Sequence, residues 1–256
     1  MNRACVLFRP SVAYRREVFE TGLKRLGYQI VDKPLPSPDS SDLLVMWNRS
    51  FHEEAHARRY ESAGAKLIIA ENGYIGKDDV GHKLFALALN HHNGAGRWNV
   101  GTGRRWSQEL PTWRTSGDHL LVLPQRGIGE KAFAMPSHWL GMIRSKLAGM
   151  TKRPVRVRVH PGREKTEPYD ELRGAWAAVT WGSGAGIKAL FAGIPVFHEL
   201  PQWIGASAAS MLNEEADIER PFLGDRQPMF ERLSWAQWSV REIESGEAFR
   251  CLLSRG

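Results

Sequence analysis

Apolar residues are gathered in short runs separated by polar, glycine- and proline-rich breaks. Residues 4–8, 28–31, 43–47 and 66–70 are such runs, each of the length of a buried strand. Between the first two, Tyr14, Val18, Gly22 and Leu26 recur at helical spacing behind Ser11, a cap residue, and Gly27 ends the run. The break before residue 43 is Pro/Ser-rich (KPLPSPDSS), and residues 52–63 form another helical run before the fourth strand. This alternation predicts a small doubly wound sheet in the N-terminal half.

The pattern loosens after Glu71-Asn72-Gly73, and residues 90–117 show no period at all. An aperiodic stretch of that length reads as a functional loop or a connector. Alternation resumes with a strand over 118–124 and a helix over 137–147. Residues 155–198 then hold a strand ending in His160-Pro161-Gly162-Arg163, a short helix, a strand breaking into Gly182-Ser183-Gly184-Ala185-Gly186, a helix carrying Lys188, and a third strand. The expected architecture is α/β, two Rossmann-like parallel-sheet domains facing a cleft, residues 1–115 and 116–256. A terminal helical run over 220–253, with Trp235, Trp238, Ile243 and Phe249, is expected to pack its aromatics between the halves.

Composition narrows the function classes. With 42% hydrophobic and 25% charged residues the chain is ordinary globular material, and its net charge of +7 favours polyanionic company. Two cysteines far apart in sequence, Cys5 and Cys251, argue against a disulfide framework or a cysteine zinc site. No basic-then-apolar leader and no run of about 18 apolar residues is visible, so a cytoplasmic protein without a membrane span is expected.

Two motifs carry candidate chemistry. The glycine turn at 182–186 lets backbone approach a ligand, and the helix behind it offers unpaired N–H groups; Ser183 adds a donor and Lys188 a cation. It is neither a Walker A loop, since Ala189 stands where Ser or Thr would hold magnesium, nor a GxGxxG fingerprint. Arg158, His160 and Arg163 crowd the end of another strand, types suited to phosphate, ribose or proton. No His/Asp/Glu spacing suggests a metal, and no hydrolase nucleophile elbow appears.

The arrangement HPGR, strand AAVTW, then GSGAGIKALFAGIPVF resembles the donor-binding half of GT-B glycosyltransferases, above all the capsule-polysaccharide and Kdo-type group. The segments GDHLLVLPQRGIG and LSWAQWSVREIESGEAF also look like those of bacteriophage or prophage proteins, which would place the chain in a host cytoplasm. The glycosyltransferase resemblance covers residues 119–200, and Lys188 stands where that family carries Glu. It implies a nucleotide-sugar donor held by Gln125, Arg126, Arg158, His160, Arg163, Ser183, Gly184 and Lys188, with cations rather than a metal or cofactor taking the leaving phosphate's charge. The acceptor side would come from the N-terminal half, with Glu71, His91 or His92 as base and Asn48, Asn72 and Asn93 orienting hydroxyls. Arg97, Arg104, Arg105 and Arg114, interleaved with Trp98, Trp106 and Trp113, form a loop expected to stack on sugars or on flipped bases of phage DNA. Two other readings are open: a nucleotide-sugar epimerase or hydrolase of the same fold, and a non-catalytic nucleic-acid-binding protein.

Overall fold

In a computed structural model that describes residues 2–92, 94–103, 105–160 and 167–254, the apolar runs become strands of two separate sheets. Along the chain these are β1 (Arg3–Leu7), β2 (Gln29–Val31), β3 (Leu43–Trp47), β4 (Lys66–Lys77), β5 (Lys83–Leu89), β6 (His119–Leu123), β7 (Val155–Val157), β8 (Ala175–Thr180), β9 (Val196–His198), β10 (Ser210–Met211) and β11 (Gln237–Trp238). The α-helices are α1 (Arg16–Arg25), α2 (Glu54–Ser62), α3 (Trp139–Met150), α4 (Tyr169–Leu172), α5 (Gly184–Phe191), α6 (Gln227–Ser234), α7 (Val240–Glu244) and α8 (Glu247–Leu253). The fold is mixed α/β. The chain divides into two compact units: Met1–Arg105 with Gly129–Ala132 and Arg232–Gly256, and Trp106–Ile128 with Phe133–Glu231.

The first unit holds a sheet in the order β11-β5-β4-β3-β1-β2. Its parallel part, β2-β1-β3-β4, is the alternation read from sequence. The expectation of an all-parallel sheet is corrected here, because β4 and β5 pair antiparallel and β11 pairs antiparallel with β5. A turn held by Asp78, whose carboxylate accepts the His82 N–H at 2.7 Å, reverses the chain between β4 and β5. Register slips between Asn72 and Lys77, and the irregularity is plugged by Gln237 of β11. Its buried Oε1 accepts the N–H groups of Tyr74 and Ile75 at 2.6 and 2.9 Å.

Cys5, Leu44, Met46, Tyr60, Leu67 and Ile69 form one buried cluster, in which α2 covers β1, β3 and β4. Phe19 of α1 meets Phe8, Phe85 and Phe249 edge to face. Gly22 in α1 lets α7 approach, since a Cβ there would lie 2.0 Å from the Ile243 carbonyl oxygen. The run over 220–253 is therefore not one helix: α6, β11, α7 and α8 succeed each other, and the last three belong to the first unit.

The second unit holds a wholly parallel sheet in the order β10-β9-β8-β6-β7. Every residue of β6 is buried, as expected of a central parallel strand covered on both faces. Leu120, Val122, Ala177, Val179 and Phe197 pack with Trp139, Ile143 and Leu147 of α3. The Trp139 indole N–H finds Glu199 at 2.6 Å, and Lys146 meets the same carboxylate at 2.8 Å. From β6 the chain steps to β7 on one side and then to β8 on the other. That reversal is a topological switch point, where parallel sheets leave a crevice beyond their carboxyl ends.

Candidate functional site

The residues following β6, β7 and β8 converge at that carboxyl edge. Arg158 keeps the ladder going beyond β7, its N–H donating to Val122 O at 3.0 Å, and its largely buried guanidinium lies 3.0 Å from Glu171. Two residues on, His160 is exposed by surface area, yet its ring is shielded enough to lower its pKa below the usual histidine value. Desolvation is the first cause, and the charges of Arg126 and Arg158 add to it. Three groups expected to meet a donor phosphate therefore do gather in one place. Gln125 spans the switch point, its side-chain N–H 3.5 Å from Gly182 O, while its Oε1 is buried without a hydrogen bond. Arg163 lies outside the described residues.

Ser183 is the N-cap of α5, and its hydroxyl accepts the Gly186 N–H at 3.2 Å. Thr180 braces it: Thr180 Oγ1 accepts the Ser183 N–H at 3.0 Å and lies 2.9 Å from Ser183 Oγ. The hydroxyl thus shapes the turn, and what α5 offers an anion is its first backbone N–H groups, at Gly184 and Ala185, and the positive end of its dipole. Two glycines of the motif have a packing role. A Cβ at Gly182 would come within 2.9 Å of Leu200, and one at Gly186 within 2.9 Å of Trp203. Lys188, expected among the phosphate ligands, pairs with Glu167.

In the first unit the carboxyl end of β3 carries a second constellation. Asn48 and Arg49 are consecutive left-handed residues, at φ 59° and 43°, a tight turn that sends the Arg49 side chain into the unit. Buried to 4% exposure, its guanidinium is bound in pairs of contacts by Glu54 (3.0 and 3.0 Å) and Glu61 (2.6 and 2.9 Å) and also donates to Asn90 O. Arg49 Nε lies 3.4 Å from Glu130. The Glu130 carboxylate in turn sits 3.1 Å from His91 Nδ1 through each oxygen, and 3.8 Å from His92 Nδ1. Burial alone would raise its pKa; His91, His92 and Arg49 outweigh it and bring the pKa down to about 2. Gly129, at φ 124°, delivers Glu130 over the His92 ring so closely that a Cβ there would lie 1.6 Å from Nε2.

Arg49 and Glu130 were not anticipated from sequence. The signals were faint: a polar pair after a buried strand, and a carboxylate behind two glycines. The two histidines expected as bases do come together around Glu130, with His92 1% exposed and His91 35%. Glu71, the third candidate base, is half-buried in β4 opposite Ala86 and hydrogen-bonds the Tyr74 side chain. Asn48 donates its backbone N–H to Ala70 O at 3.0 Å, Asn72 is exposed opposite Phe85, and Asn93 lies outside the described residues.

The Trp/Arg loop turns inward. Trp98 is 7% exposed, donates to Arg232 O, and has the Arg232 guanidinium 4.6 Å from its ring centre. Trp106 stacks on Phe230 at 4.9 Å, and Trp113 carries Arg226 at 4.1 Å. Arg105 lies over Trp238 and pairs with Glu242 at 2.7 Å, while Arg114 donates to Leu172 O. Faces expected to grip a base or sugar are occupied by the protein's own side chains. Arg97 is exposed, and Arg104 lies outside the described residues. Among the described residues no metal-ligand cluster occurs, and no helix is long and apolar enough to cross a membrane.

No protein-family model matches the chain, and no curated protein matches it. Among solved structures it is similar to the β-Kdo 2,7 transferase of Thermosulfurimonas dismutans KpsC, at TM-score 0.56 and 11% identity over 97% of this chain and 99% of that one. The β-Kdo 2,4 transferase of the same organism's KpsC gives TM-score 0.55 and 15% identity, over 91% of this chain and 89% of that one. At these identities the likeness is one of fold.

Proposed function

We propose that this chain is a glycosyltransferase that moves a sugar from a nucleotide-activated donor to an acceptor hydroxyl. The observation that carries the reading is the gathering of Arg126, Arg158 and His160 at the switch point between β6 and β8, beside the capped N-terminus of α5. The nucleotide's phosphate is held there, and the same cations and backbone dipoles stabilise it as leaving group without calling on a metal. The fold shared with two Kdo transferases supports sugar transfer over other uses of such a crevice and makes a Kdo-like acidic sugar the first to try. The acceptor is bound on the first unit, at the carboxyl edge near Arg49, Glu130 and His91. DNA loses its place as favoured acceptor because the aromatics expected to stack on bases are already covered.

A thermal-shift panel tests this, with CMP-Kdo, UDP-sugars and the free nucleotides added in turn. A nucleotide present at about 100 times its Kd stabilises by about 2.7 kcal/mol. The expected result is a raised Tm with at least one nucleotide or nucleotide sugar, and loss of most of that rise in Arg126→Ala and Arg158→Ala. A panel in which nothing stabilises the protein would overturn the donor site.

A further inference from the structure

We propose that Glu171 is an internal counter-ion of the phosphate site, holding Arg158 until an anion arrives and then yielding it, and that Glu167 does the same for Lys188. The inference rests on the donor-phosphate reading above and concerns the second unit alone, to which all four residues belong.

Both carboxylates come from one short stretch. Glu171 lies in the single turn α4 and Glu167 just before it, while the cations come from two other places, Arg158 from the end of β7 and Lys188 from α5. Glu171 stands 3.0 Å from Arg158, and Glu167 pairs with Lys188. The backbone of the stretch is anchored: Leu172 is 2% exposed, its N–H donates to Pro168 O at 3.0 Å, and its carbonyl accepts from Arg114 at 2.8 Å. Asp170, the neighbour of Glu171, pairs instead with Arg173 at 3.1 Å and is 91% exposed.

Exposure separates the two members of each pair. The side chains of Arg158 and Lys188 are 9% and 23% exposed, against 44% and 43% for Glu171 and Glu167. The fold holds the cations, whereas the carboxylates reach them from the surface and can turn back into water, where a charge is well solvated. An exchange of partners therefore needs two side-chain rotations and no movement of α4.

A largely buried guanidinium without a counter-charge is unfavourable, so a carboxylate at Arg158 stabilises the protein before any ligand binds. The same carboxylate competes with the ligand. Arg126 and Arg158 lie close enough for both charges to act on His160, so what Glu171 takes from Arg158 it takes from the whole cluster. A phosphate brings more charge and more acceptor oxygens than a carboxylate and wins the exchange. Part of its affinity is given up to the displacement.

Isothermal titration calorimetry of the full chain with CMP, UDP and pyrophosphate, at one ionic strength, reads this by the sign of the change. Glutamine keeps the size of glutamate and one acceptor oxygen but loses the charge. If Glu171 merely positioned Arg158, Glu171→Gln would leave anion affinity unchanged or weaken it; a competing counter-ion strengthens binding when its charge is removed. The expected gain is about fivefold in Kd for Glu171→Gln, and about as much for Glu167→Gln, the worth of a partly exposed ion pair. Without ligand both variants should melt lower than the wild type, and the rise in Tm on adding nucleotide should be larger. Asp170→Asn removes the same charge from the same stretch and should keep Kd within about twofold. An equal gain in Asp170→Asn, or a Kd unchanged or raised in Glu171→Gln, overturns the proposal, and Glu167→Gln decides in the same way if Glu171→Gln does not fold. Probes that bind the wild type but gain nothing in the variants overturn this proposal alone. Probes that bind neither wild type nor variants overturn it together with the donor site.

Discussion

Ser183 shows how one side chain divides between architecture and chemistry. Its hydroxyl is spent on Gly186 N–H and on Thr180, so it acts on a ligand only through the turn it shapes. Ser183→Ala should therefore cost about 1 kcal/mol of stability through the lost cap, seen as a lower Tm, and weaken nucleotide binding less than Arg126→Ala does. His198 makes a second case. It is 2% exposed, donates Nδ1–H to Leu200 O at 2.9 Å, and burial holds its pKa below the ordinary value, the carbonyl offsetting only part of that. A depressed histidine binds fewer protons folded than unfolded, so its contribution is present above about pH 6.5 and is lost as pH falls. His160 acts in the same direction. Denaturant unfolding between about pH 5 and pH 7.5 should show stability rising with pH, and His198→Asn should flatten part of the slope.

Whole elements were legible where burial leaves a plain mark. β1, β3, β6 and β8 are continuous apolar runs, and their parallel order follows from the helices between them. β11 was illegible for a physical reason: Trp235 and Trp238 stand three apart, the spacing of one helix face, yet Trp238 is in a strand paired with Phe85. The irregular end of β4 hid β5 in the same way, since Gly73 breaks the apolar pattern where a Cβ would meet Leu84 O at 2.7 Å. Gln237 joins these two elements. Gln237→Leu would strand the Tyr74 and Ile75 N–H groups, at about 1–3 kcal/mol for each left unsatisfied, and urea unfolding should show that loss with amide exchange rising first at those two positions.

At the scale of the molecule, a net charge of +7 and a loop of alternating Arg and Trp suggested a polyanion. Alternation alone cannot distinguish pairs that await a ligand from pairs that satisfy each other, because the same quadrupole and charge are at work. Arg105 decides for the second within its own unit. It lies 5.0 and 4.3 Å from the ring centres of Trp235 and Trp238 and donates to Ser234 O and Gln237 O. Arg105→Ala should accordingly lower Tm by several degrees, about 1–2 kcal/mol, and leave affinity for DNA, measured at matched salt, unchanged. The two constellations differ in the same way. The cationic cluster of the second unit was legible in residue types at strand ends, whereas the Arg49–Glu130–His91 constellation of the first joins residues 49, 91 and 130 and could be found only once the fold had brought them together.

The interleaving of the two units also sets the order in which their sequences are completed during synthesis. The second unit has all its sequence once Glu231 has been made, while the first still lacks β11, α7 and α8, and has Gly22 and Phe19 waiting uncovered for partners not yet translated. The sequence of the second unit is thus complete before that of the unit that precedes it in the message. The edge of β5 stays an open strand, able to pair with another chain, until β11 joins it.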